Sequence, residues 1–210
     1  MEVLTNLLHK YPALDVCKAD IGKAFLLIKD TYQRGGKLLV CGNGGSAADS
    51  EHIVGELMKG FMLDRKISES ARAKIKEVSK VNGDYIGENL QGALPAISLV
   101  SHTALISAFS NDMAPDMIFA QQVFGYGKPE DSFLGLSTSG NSKNVIYAAE
   151  TAKAIGMHTI AFTGKSGGSL KDICDCTVLV PSESTPVIQE YHLPVYHALC
   201  MMLECEFFMS

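Results

Sequence analysis

Apolar positions along the chain fall into two rhythms. Five short runs, "KLLVC" (37–41), "PAISLV" (95–100), "SFLGLS" (132–137), "HTIAFT" (158–163) and "CTVLVP" (176–181), read as strands, and helical spacing fills most of the stretches between them. Strands that alternate with helices predict an α/β fold with a parallel sheet. Residues 13–34 place Leu14, Ala19, Ile21, Phe25, Leu26 and Ile28 at helical spacing and end in "RGG", which predicts one long helix ahead of the first strand. A second long apolar helix is predicted from about Thr185 to Phe207. Residues 62–91 follow neither rhythm: they are charged and poor in large apolar groups, as expected of a helical insertion or lid.

Bulk composition narrows the classes. A chain of 210 residues, 47% hydrophobic and 20% charged, can bury a full core and is expected to form one domain. Its formal charge is −5 and its 18 Lys and Arg are scattered, so neither nucleic acid nor an anionic membrane is an expected partner. The first residues, "MEVLTNLLHKYPALD", lack the basic and small-residue marks of a secretory leader. No apolar run approaches the roughly 20 residues that span a bilayer, and a soluble cytoplasmic protein is expected. Six cysteines lie in apolar or strand-like surroundings and are expected as free thiols.

The candidate chemistry begins at "CGNGGSAADSEHIVGE", residues 41–56, where a glycine-rich turn leaves a strand and enters a helix. In an open parallel sheet such turns lie at the carboxyl ends of strands, where helix N-termini offer free N–H groups to a ligand. A second turn of this kind, "STSGNS" at 137–142, supplies four hydroxyls, an amide and a glycine just before another helix. One serine-rich turn reads as a helix cap; two at equivalent strand ends point to an anion site. Neither matches a Walker loop or G-x-G-x-x-G, so no nucleotide cofactor is expected.

His52 and Glu56, four residues apart on the helix that follows the first turn, project from one face, a spacing that suits a shared metal or an acid and base pair. In the last helix, Gln189, His192 and His197 interrupt an apolar stretch; polar groups there require partners.

"CGNGGSAAD", "LSTSGNS", "FTGKSGG" and "IQEYHLPVYH" together resemble the sugar isomerase (SIS) domain family, and within it the phosphoheptose isomerases, over roughly residues 31–60 and 95–205. The resemblance implies a single SIS domain with the insertion at about 62–91. It also implies a three-layer sandwich around a five-stranded, flavodoxin-like parallel sheet, and a homotetramer with active sites between subunits. Its implied activity is conversion of sedoheptulose 7-phosphate to D-glycero-D-manno-heptose 7-phosphate. Ser137, Thr138, Ser139 and Ser142 match the phosphate loop, while Asn43, Gly44, Ser46, Asn111, Asp112 and Gln189 match sugar-contacting positions. His52, Glu56, Gln189 and His197 match zinc ligands, and Glu56 and His197 match the acid–base pair. Gln189 and His197 are eight residues apart, which is about 12 Å along a regular helix. Bringing both to one ion requires long side chains, a kink at Pro194 or ligands from two subunits.

Pro186 stands where the family often has an acidic residue, and the 62–91 insertion exceeds the usual connection. A non-catalytic SIS module that binds a phosphosugar or a protein is the alternative to an enzyme. In such relatives the acidic and histidine positions are replaced, and here they are kept.

Overall fold

The structure is a computed structural model, and it describes residues 2–209. It opens with α1 (Glu2–Lys10), a 3-10 segment (Pro12–Cys17) and α2 (Lys18–Gln33), followed by β1 (Leu38–Gly42) and α3 (Gly45–Met58). Two helices, α4 (Glu69–Val78) and α5 (Gly83–Asn89), precede β2 (Ala96–Ser98), α6 (Thr103–Asp112) and α7 (Ile118–Tyr126). The remainder is β3 (Ser132–Leu136), α8 (Lys143–Ile155), β4 (His158–Thr163), α9 (Leu170–Ile173), β5 (Cys176–Leu179) and α10 (Thr185–Phe208).

All five strands pair in parallel in the order β2-β1-β3-β4-β5, the flavodoxin-like arrangement expected from the sequence. Alternation along each strand divides the core in two. Leu38, Val40, Leu134, Leu136, Ile160, Phe162 and Val178 face a layer that includes Leu7, Ile21, Ile53, Leu57 and Leu199 of α1, α2, α3 and α10. Leu39, Cys41, Phe133 and Ala161 face Phe119, Val123, Val145, Ala149 and Leu170 of α7, α8 and α9. Both clusters are drawn from the apolar runs, so the sheet is buried on both sides and the molecule has three layers.

The stretch read as one helix over 13–34 is divided. Pro12 starts a 3-10 turn, and Cys17 leaves helical geometry (φ −100°, ψ 1°) before α2 begins at Lys18. Gly36 then presses against the turn before β3, where a Cβ would lie 2.2 Å from the Glu130 carbonyl oxygen. Within 62–91, α4 buries no residue; its Ser68 cap accepts the Ala71 N–H at 3.2 Å. No helix among the described residues is long and apolar enough to cross a membrane.

Two carbonyls at the last turn of α3 lack helical partners, and Leu57 O accepts the Leu94 N–H at 3.0 Å. Buried Arg65 takes both: its Nη1 donates to Leu57 O at 2.8 Å and its Nη2 to Glu56 O at 3.1 Å. The same guanidinium pairs through Nε with Glu204 of α10 at 2.7 Å. Glu204 also accepts the N–H groups of Phe61 and Met62, each at 2.8 Å. α3 and α10 are thereby locked together at the level of Glu56.

Candidate active site

The strand order reverses between β1 and β3, the place where open α/β sheets bind ligands. The two glycine- and serine-rich turns leave those two strands. After β1, Asn43 and Gly44 turn the chain, and the φ of +57° at Gly44 is one that glycine adopts without strain. The Ser46 N–H then donates to Asn43 O at 3.0 Å as α3 starts. The amides of Asn43 and Asn144 exchange two hydrogen bonds of 2.9 Å, which fasten this turn to the first residues of α8.

The second turn is braced by the loop after β4. Gly140 has φ +67° and lies so close to Gly167 that a Cβ would stand 2.0 Å from the Gly167 carbonyl oxygen. The Leu170 N–H donates to Gly140 O at 3.1 Å, and the N–H and Oγ of Ser169 donate to Asn141 Oδ1 at 2.9 and 3.0 Å. Ser137 Oγ and Ser142 Oγ are 2.9 Å apart, and Ser139 Oγ accepts the Asn141 N–H at 3.1 Å. A cavity of about 470 Å³ opens beside this turn, lined by Thr138, Ser139, Gly164, Lys165, Ser182 and Thr185. Hydroxyls, backbone amides and one lysine ammonium make a set of donors that suits a phosphate.

Farther along α3, three of the expected residues come together. His52 Nε2 is 3.3 Å from Glu56 Oε1, and the rings of His52 and His197 meet edge to face with centroids 5.0 Å apart. Glu56 is buried, His52 is exposed and His197 is half-buried. The second Glu56 oxygen takes a bond from Lys59 Nζ at 3.1 Å. Burial, and after it the nearby His52 charge, push the His197 imidazole below its ordinary pKa, while the Glu56 carboxylate opposes them. His197 therefore favours its neutral form, able to accept a proton.

The other expected residues are placed differently. Gln189 lies against the start of α3, with its Nε2 2.7 Å from where a Gly45 Cβ would be. Gly45 is seven residues before His52, about 10 Å along the helix. α10 continues through Pro194 as one helix that carries both Gln189 and His197. Asn111 and Asp112 sit exposed in the last turn of α6, bonded to each other at 2.8 Å and to neither turn.

The donors fit zinc by type. His197 Nε2 is buried without a hydrogen-bond partner, and two imidazoles with a carboxylate are good zinc ligands. Their placement does not make a closed site: among the described residues no three His, Cys, Asp or Glu side chains are arranged to hold one ion. Gln189 stands at Gly45, the first residue of α3.

Lys59, Asn144 and Lys165 join the site without having been singled out from the sequence. Lys165 had a signal in "FTGKSGG"; Lys59 lies one turn past Glu56, where a lysine on a helix end reads as solvated surface.

Comparison with known proteins follows the same outline. The model of the SIS domain family matches residues 4–85 and 77–164. A probable phosphoheptose isomerase of Thermoplasma acidophilum is 43% identical over 86% of this chain and 85% of its own length. The phosphoheptose isomerase of Akkermansia muciniphila is 34% identical over 98% and 95%. The solved phosphoheptose isomerase of Neisseria gonorrhoeae superposes with a TM-score of 0.74 at 31% identity, covering 95% of this chain and 94% of that one. That of Francisella tularensis gives 0.76 at 31%, covering 92% and 90%.

Proposed function

Because the chain belongs to the SIS domain family, and within it to the phosphoheptose isomerases, we propose that it interconverts sedoheptulose 7-phosphate and D-glycero-D-manno-heptose 7-phosphate. The observation in this chain that carries the reading is the meeting of Glu56 and His197, 141 residues apart in sequence, around His52 between α3 and α10. Aldose–ketose isomerisation needs a base and an acid on one side of an open-chain sugar. One group removes a proton from C1 of the ketose while the C2 carbonyl oxygen gains one, leaving an enediol; a proton returns to C2, and C1 becomes the aldehyde as its hydroxyl proton departs. Glu56 supplies the carboxylate for the first step; His197, neutral at rest, takes up a solvent-exchangeable proton and delivers it in the second. Lys59 faces the Glu56 carboxylate from the solvent side.

The phosphate end is assigned to Ser137, Thr138, Ser139 and Ser142 with Lys165, and the sugar end to the turn of Asn43, Gly44 and Ser46. That assignment puts the reacting carbons toward α3 and the dianion beside the hydroxyl-lined cavity. A homotetramer with sites between subunits, contacts from Asn111, Asp112 and Gln189 and a cytoplasmic location are proposals from the family resemblance. Zinc stands with them, and the steps above are written without it.

The serine turn gives the experiment. The double variant Ser139→Ala, Ser142→Ala should bind a sugar phosphate more weakly and the same sugar without phosphate equally well, each lost bond to the charged group costing about 1.5–3 kcal/mol. Calorimetry that records equal losses for both ligands would reduce the turn to a helix cap.

A further inference from the structure

Asn144 lies two residues past Ser142 in the first turn of α8, and its side-chain amide meets that of Asn43 across the gap between the two turns. The strands that deliver those turns are neighbours in the sheet, with Cys41 opposite Gly135 and Gly42 opposite Leu136. The pair therefore bridges the switch point, joining residues 101 positions apart in sequence. Each Nδ2 donates to the other's Oδ1 at 2.9 Å. One backbone group sets the direction of this exchange. The Val145 N–H, shared between Ser142 O and Asn144 Oδ1 at 3.0 Å each, can only donate, so an NH2 group in place of the Asn144 oxygen would meet a donor. With Asn144 Oδ1 held there, its Nδ2 faces Asn43 Oδ1, and the Asn43 amide is held in the matching orientation.

We propose that Asn144 is a positioning residue that acts through Asn43: it holds the Asn43 amide in one orientation and at one distance from the serine turn, so that the sugar and phosphate ends of a ligand are met together. The inference rests on the assignment of these turns to a sugar phosphate, and it goes beyond that assignment in giving Asn144 a role. An asparagine amide has two N–H groups and an oxygen with two lone pairs. The exchange uses one of each and leaves Asn43 one donor and one acceptor for sugar hydroxyls. Asn43 is exposed and followed by two glycines, and among the described residues its side chain makes no hydrogen bond except to Asn144. Fixing such a side chain before the ligand arrives removes part of the ordering cost of binding. The serine turn does not depend on the pair, because Leu170 and Ser169 brace it through Gly140 and Asn141.

The test reads the pair and its consequence separately. In ligand-free wild-type protein labelled with nitrogen-15, the two Nδ2 protons of Asn43 should be well separated in shift, one of them being hydrogen-bonded, and Asn144→Ala should move them toward the values of a free amide. Unmoved Asn43 signals would overturn the proposal. By calorimetry, Asn144→Ala should weaken binding of sedoheptulose 7-phosphate about 10-fold, as expected for two lost hydrogen bonds of ordinary net strength, and leave binding of inorganic phosphate within about twofold. In an Asn43→Ala background the same substitution should change the sugar phosphate affinity by less than about twofold, because the group it acts through is gone. A 10-fold loss in both backgrounds would mean that Asn144 acts through α8 or on the ligand itself, and would overturn the proposal. Unchanged affinity in Asn144→Ala, or an equal loss for inorganic phosphate, would overturn it too. A wild-type protein that binds sedoheptulose 7-phosphate without isomerising it would count against the isomerase reading alone, since none of these measurements requires turnover.

Discussion

Glu56→Gln should leave the fold and phosphosugar binding in place and lower kcat by at least about 10²-fold, the usual contribution of a positioned acid or base. The amide has the shape of the carboxylate and can still accept from Lys59, but it cannot take a carbon-bound proton. Glu56 is suited to that task by its surroundings. Its side chain is only 11% exposed, its two oxygens face His52 and Lys59 at 3.3 and 3.1 Å, and its carbonyl is held by Arg65. Steady-state kinetics with sedoheptulose 7-phosphate, beside calorimetry of ligand binding, separates the two effects. Turnover like that of the wild type would remove Glu56 from the proton-transfer steps.

Glu204→Ala should cost about 3–5 kcal/mol of stability, the penalty for leaving one charge of a buried pair without its partner. Arg65 and Glu204 are 0% and 1% exposed at their side chains, and every guanidinium nitrogen has an acceptor in Glu204 or the end of α3. Burial pushes the Glu204 carboxyl up, but bonds from Phe61, Met62 and Arg65 outweigh it and hold the group below the ordinary glutamate range. A carboxyl with a depressed folded pKa stabilises the protein above its unfolded pKa, and that stabilisation is lost as pH falls through the folded value. The variant should therefore lose most at neutral pH and differ less from the wild type in acid. Denaturant unfolding measures this, and a loss under about 1 kcal/mol would place the pair with ordinary surface ion pairs. Activity should fall as well, since Phe61, released from Glu204, packs on His197 with ring centroids 5.4 Å apart.

The sheet could be read from the sequence because each strand is an apolar run between turn residues, and β4 begins and ends where its run does, at His158 and Thr163. The N-terminal region was harder. The apolar spacing from Leu14 to Ile28 passes through both the 3-10 turn and α2, and periodicity does not record the change of backbone geometry at Cys17. In the site, His52 and Glu56 were legible because four residues on one helix fix a common face. His197 needed the family pattern, since no local signal says which face of α10 meets α3. Arg65 and Glu204 were not legible at all. Their ion pair joins residues 139 positions apart, and a glutamate in an apolar helix carries no mark of the partner it will meet. Gln189 was legible as part of its motif, while its place beside Gly45 carried no local signal.

The central claim is proton transfer between C1 and C2 of a phosphorylated ketose. Incubating the purified protein with sedoheptulose 7-phosphate in heavy water, followed by NMR, tests it most directly. The account predicts that aldoheptose 7-phosphate appears as the ketose declines, with deuterium entering at C2 of the aldose, because the returned proton comes from a side chain that exchanges with solvent. Ketose that persists unchanged, with no aldose and no deuterium at C1, would contradict it.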